Sequence, residues 1–135
     1  MKFTKMQGTG NDFIVVDQRD KKFNLSKSVI KNLSDRHFGI GFDQLLVLEK
    51  SNSKNADFKY RIFNSDGGEV EQCGNGARCF YKFIKNYRLS NNSTIKVETK
   101  AGIILLSENS EGMVKVDMGL PDIRKSINRH GVNYD

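Results

Sequence analysis

Four consecutive residues, Cys73-Gly74-Asn75-Gly76, combine the residue types best suited to chemistry in this 135-residue chain. They follow a short strand-like segment and open a helical one. The first N–H groups of a helix have no internal partner and carry partial positive charge. A cysteine placed there has a depressed thiol pKa and a sizeable thiolate fraction. Gly74 and Gly76 remove side-chain bulk, so backbone N–H groups can come close to an anion such as a carboxylate. One short segment can then hold a carboxylate beside a reactive thiolate. A lone cysteine is ordinarily a small buried hydrophobe; it is the flanking glycines that turn Cys73 toward function. Cys79, further along the same helix, sits about 9 Å down the axis and points elsewhere, which suits packing.

Two neutral amides stand at strand ends. Gln44 opens an apolar strand after Gly41-Phe42-Asp43, and Asn64 closes an alternating one. Each can be an ordinary end-of-strand residue. Amides also suit an amino acid's ammonium and carboxylate, because each offers a donor and an acceptor. Gly8-Thr9-Gly10-Asn11-Asp12-Phe13 superficially resembles a dinucleotide fingerprint. It lacks the third glycine and the following helix, so a turn or working loop is the better reading. His37 and His130 have no cysteine or carboxylate at ligand spacing, and no metal site is expected. No lysine stands out as a cofactor anchor.

The elements that must position these groups follow from periodicity. Strands are expected over Phe3–Gln7, Phe13–Asp17, Asp43–Glu49 and Phe58–Asn64, with a short return strand Glu69–Gln72 after the Asp66-Gly67-Gly68 turn. Three more cover Thr94–Thr99, Gly102–Ser107 and Met113–Met118. Ser26 caps a helix running to about His37, ended by Gly39-Ile40-Gly41. A second helix runs from Ala77 to about Tyr87, with Ala77, Phe80, Tyr81 and Ile84 on one face. In Phe58–Asn64, Phe58, Tyr60 and Ile62 point one way and Lys59, Arg61 and Phe63 the other. The class is α+β: a mixed or antiparallel sheet with two helices. Residues 1–120 form the domain, and polar, aperiodic residues 121–135 read as a linker toward an absent C-terminal domain.

Composition narrows the partners. The net charge is +6, but the basic residues are scattered and do not interleave with aromatics. That argues against nucleic acid and for a solvated surface whose positive field attracts anionic small molecules. No apolar run has the length of a membrane span, and the N-terminus has no signal-peptide h-region. Two closely spaced cysteines suit free thiols in a reducing cytoplasm.

Four segments together resemble the N-terminal half of the diaminopimelate epimerase family: Gly8–Phe13, Arg36–Leu45, Arg61–Gly67 and Cys73–Cys79. The resemblance runs from Lys2 to about Pro121, in one order. It implies one domain of the family's kind, its sheet wrapped around a central helix. It implies an isomerase that interconverts LL- and meso-diaminopimelate for lysine and peptidoglycan synthesis, with no pyridoxal phosphate, no other cofactor and no metal. By similarity Cys73 is one of two catalytic thiols working on opposite faces of the α-carbon. Asn11, Gln44, Asn64, Gly74 and Asn75 fall where the family binds its amino-acid substrate. The family's chain is much longer, and its C-terminal half carries the second thiol. That half is the implied partner, with homodimerisation left open, and this chain alone is expected to be inactive. Proline-type racemases of the same fold carry a histidine where Asn75 stands. The alternatives are such a racemase or isomerase with another amino-acid substrate, and a non-catalytic half-domain serving binding or assembly.

Overall fold

The computed structural model describes residues 3–7, 10–70 and 74–117, with Gly74 and Asn75 described by their backbone only. Its strands are β1 (Phe3–Gln7), β2 (Asp12–Asp17), β3 (Gln44–Glu49), β4 (Phe58–Asn64), β5 (Glu69–Val70), β6 (Thr94–Thr99), β7 (Gly102–Glu108) and β8 (Val114–Asp117). The helices are α1 (Lys27–Ser34) and α2 (Gly74–Asn86). The strands form one sheet in the order β1-β2-β3-β4-β6-β7-β8, with β5 paired to β4. The pairs β2/β3 and β4/β6 are parallel and the others antiparallel. This is the mixed α+β sheet that the periodicity predicts.

Each parallel pair is bridged by a helix, α1 between β2 and β3, and α2 between β4 and β6. Such crossovers are right-handed almost without exception. Because β4 runs antiparallel to β2, the same hand puts the two helices on opposite faces of the sheet. The core divides accordingly. Phe13, Val15, Leu46, Leu48, Tyr60 and Ile62 pack with α2. Ile14, Val16, Leu45, Val47 and Phe63 pack with Ile30 of α1 and with Phe42. Strict alternation along β2, β3 and β4 thus builds two cores from one layer.

The sheet curls around α2, which packs against β2, β3, β7 and β8. A helix enclosed this way buries more than one stripe. Ala77, Phe80, Tyr81 and Ile84 are buried as their spacing predicts, and Cys79 and Phe83 are buried beside them. Arg88 adopts φ 54, and Leu89 N–H donates to the Ile84 carbonyl at 2.9 Å, so α2 ends in a left-handed cap. No helix among the described residues is long and apolar enough to cross a membrane.

Two helix boundaries differ from expectation. α1 stops at Ser34 rather than near His37. Asp35 is the cause: its carboxylate accepts the N–H groups of His37 at 2.7 Å and Phe38 at 3.0 Å, and this local turn competes with helix continuation. The Ser26 cap is as expected, its hydroxyl accepting Val29 N–H. α2 begins at Gly74, three residues before Ala77, despite the low helix propensity of glycine. A Cβ at Gly76 would come within 3.1 Å of Tyr60 Oη and 3.2 Å of Leu46 Cδ2, so the missing side chain lets the first turn lie against the sheet. Packing there outweighs a propensity cost of about 1 kcal/mol. Gln72 and Met118, the expected ends of two strands, and the expected linker at 121–135 lie outside the described residues.

Candidate active site

Gln44 and Asn64 are direct partners in the β3/β4 register, and Phe13 of β2 stands opposite Gln44 on the other side. Gln44 shares its phase with Leu46 and Leu48, and Asn64 with Ile62 and Tyr60, so both amides lie on the α2 face. Gln44 Nε2 donates to Asn64 Oδ1 at 3.0 Å. The other end of the Gln44 amide, Oε1, is buried and has no hydrogen-bond partner among the described residues. Buried acceptors are seldom left unmade, because the lost hydration costs about 1–3 kcal/mol. A buried acceptor left unmade by the chain's own groups is one of the ordinary signs of a ligand position.

The first turn of α2 comes close to this amide pair. Gly76 lies against Leu46, Ile62 and Tyr60, one pleat from the Gln44–Asn64 pair. Phe80 stacks on the Tyr60 ring at 4.5 Å, so the helix runs from the amide pair toward the interior. Its N-terminal end, where a helix has N–H groups without intrahelical partners and the positive end of its dipole, is therefore directed at Gln44 and Asn64. Gly74 and Asn75 are in that first turn.

Asn64 is held from the other face of the sheet. Its N–H donates to Gly68 O at 2.8 Å, and its carbonyl accepts Gly67 N–H at 2.9 Å. Gly67 has φ +87, and a Cβ there would fall 2.5 Å from Lys27 Cγ and 2.6 Å from Lys27 O. Ser34 Oγ donates to the Ser65 carbonyl at 2.9 Å. Both ends of α1 thus grip the turn that follows Asn64.

Asn11 is half-buried and stands directly before β2, two residues from Phe13. Asp12 N–H donates to Asp43 Oδ2 at 2.8 Å, and Asp43 N–H donates to the Asp12 carbonyl at 2.9 Å. Arg36 bridges the two carboxylates, at 2.9 Å to Asp12 and 3.2 Å to Asp43. The Arg36 hydrogen bond holds the Asp12 carboxyl below its usual range. Neither the Asp12–Asp43 reciprocity nor its Arg36 bridge was legible in the sequence, since none of the three stands out by spacing.

The structure therefore places Gln44, Asn64 and the first turn of α2, with the backbone of Gly74 and Asn75, toward one end of one face, and Asn11 directly before β2 at that end of the sheet. Cys73 lies outside the described residues. Cys79 is buried within the core around α2. Amide groups and helix N–H donors are groups whose chemistry suits a small polar molecule carrying a carboxylate.

The diaminopimelate epimerase family model matches residues 3–123. The chain belongs to the diaminopimelate epimerase family. It is 57% identical over 121 residues to the diaminopimelate epimerase of Nitrosomonas europaea, covering 90% of this chain and 44% of that one. With the diaminopimelate epimerase of Azoarcus sp. strain BH72 the identity is 52% over 123 residues, covering 91% and 44%. The chain thus spans less than half the length of these relatives. Its fold is also that of a probable proline racemase from Agrobacterium radiobacter K84, with TM-score 0.66 and 14% identity over 84% of this chain and 40% of that one. A hydroxyproline epimerase from Agrobacterium vitis gives TM-score 0.64 and 12% identity over the same shares.

Proposed function

We propose that this chain is the N-terminal half of a cofactor-independent epimerase that interconverts LL- and meso-diaminopimelate, with Cys73 as one of its two catalytic thiols. The observation that carries the reading is the Gln44–Asn64 amide pair facing the N-terminal end of α2, with an acceptor left open. In sequence Cys73 immediately precedes that helix.

Asn11, Gln44, Asn64 and the backbone of Gly74 and Asn75 bind the amino acid and aim its α-carbon at Cys73. The helix N–H groups favour the Cys73 thiolate and take the substrate carboxylate. The thiolate removes the α-proton: the C–H bond breaks, an S–H bond forms, and the electron pair spreads into the carboxylate. Donors fixed in advance stabilise that developing charge. A second thiol, from the C-terminal half, returns a proton to the opposite face and inverts the centre. Cys79, buried in the core, takes no part. The C-terminal half is the necessary partner, a homodimer is compatible with the design, and the setting is the cytoplasm, where thiols stay reduced. The product serves lysine and peptidoglycan precursor synthesis.

The test joins this chain to the C-terminal half of the Nitrosomonas europaea relative and follows LL-diaminopimelate by circular dichroism. The joined protein inverts the substrate, and Cys73→Ala lowers the rate by about 10²–10⁴-fold or more. The isolated chain neither inverts it nor exchanges its α-hydrogen in heavy water. Sustained inversion by the isolated chain, or full activity of the joined Cys73→Ala protein, contradicts the proposal.

A further inference from the structure

Arg36 is half exposed, its side chain 51% accessible, yet it sits where three segments meet. Nη1 donates to Asp12 Oδ2 at 2.9 Å and Nη2 to Asp43 Oδ1 at 3.2 Å. Gln7 Nε2 donates to the remaining Asp12 oxygen at 3.1 Å. Asp12 immediately follows Asn11, and Asp43 immediately precedes Gln44. We propose that Arg36 is a positioning residue, its guanidinium clamping Asp12 to Asp43 and so fixing Asn11 and Gln44 relative to each other in the substrate recess. This inference rests on the substrate role given to Asn11 and Gln44 above.

Three physical points carry it. The two carboxylates lie at the adjoining starts of parallel strands, where ladders are weakest and like charges repel. A cation between them turns repulsion into a brace. Second, one planar fork reaches two separate acceptors, which an ammonium on a single flexible stem does not reproduce. Third, the loop is shaped to the arginine: Gly41 has φ +81, and a Cβ there would lie 3.1 Å from Arg36 Cγ and 3.3 Å from Arg36 Cα.

Stability is a poor explanation for the same contacts. Ion pairs open to water add little, because solvent screens them, and Arg19 with Asp17 makes a half-buried pair at the other end of β2. Geometry is a better one, because a displacement of about 1 Å in a binding group costs a large factor in rate.

The experiment uses Arg36→Met, Arg36→Lys and the control Arg19→Met, each in this chain and in the joined enzyme. Amide hydrogen exchange in the chain should accelerate about tenfold at Asp12 and Asp43 in Arg36→Met, while Val15 and Leu46 keep their protection. In the joined enzyme KM for diaminopimelate should rise about tenfold with kcat within about threefold, and Arg36→Lys should recover only part of the loss. Arg19→Met should move neither readout. Unchanged exchange at Asp12 and Asp43, or acceleration throughout the sheet, overturns the clamp, as does full rescue by lysine. If the wild-type joined enzyme does not turn over, the epimerase reading fails, and the exchange data alone decide whether Arg36 fixes the strand ends.

Discussion

The two ends of the central strands each carry a glutamine, and the two are treated differently. At the far end, Gln18 uses both sides of its amide. Its Nε2 donates to Glu49 Oε2, and its Oε1 accepts Phe23 N–H at 3.2 Å. Glu49 is further paired with Arg61 at 3.7 Å and Lys59 at 4.0 Å. At the near end, Gln44 donates to Asn64 and leaves a buried acceptor open among the described residues. A closed network is structural: its groups are spoken for within the chain. An open one reserves bonding capacity for something that arrives later. The same residue type at the same kind of place, the end of an apolar strand, is thus closed within the chain in one case and left with an unmade acceptor in the other.

That contrast can be pressed by mutation. The largest effect is expected at the turn that holds Asn64 in place. Gly67→Ala meets both a left-handed φ and the Lys27 backbone, and should lower stability by about 2–4 kcal/mol in a denaturant titration. A loss below about 1 kcal/mol would mean that α1 does not grip the near end.

A smaller effect distinguishes the glutamines themselves. Gln18→Met strands the Phe23 N–H and removes a donor from the buried Glu49, and should cost about 1–3 kcal/mol. Gln44→Met removes one hydrogen bond together with an unmade acceptor, and should change stability by less than about 1 kcal/mol while weakening substrate binding in the joined enzyme. Equal losses at the two sites would erase the distinction between a closed and an open network.

Much of the frame was readable in advance because it is written in local patterns. Alternation along Phe58–Asn64 told which residues face α2, and the spacing of Ala77, Phe80, Tyr81 and Ile84 told which face of α2 is buried. Gln44 and Asn64 were singled out as amides at strand ends, but their pairing depends on a register set between distant segments. The end of α1 was misjudged because a side-chain turn at Asp35 interrupts a pattern that otherwise continues. The start of α2 was misjudged because contact between Gly76 and the sheet overrides glycine's local preference. Arg36 enters the sequence reading only as the start of a segment resembling the family; its contacts depend on Asp12 and Asp43 meeting across a parallel pair, which no spacing rule reveals.

The central claim is that the thiol preceding α2 does the chemistry and the thiol inside the core does not. Brief iodoacetamide treatment of the chain at neutral pH, followed by peptide mass spectrometry, tests it directly. Cys79 is buried at 4% exposure, and burial keeps a thiol inert. The account predicts that Cys73 is alkylated at least about tenfold faster than Cys79. Equal labelling, or preferential labelling of Cys79, would contradict it.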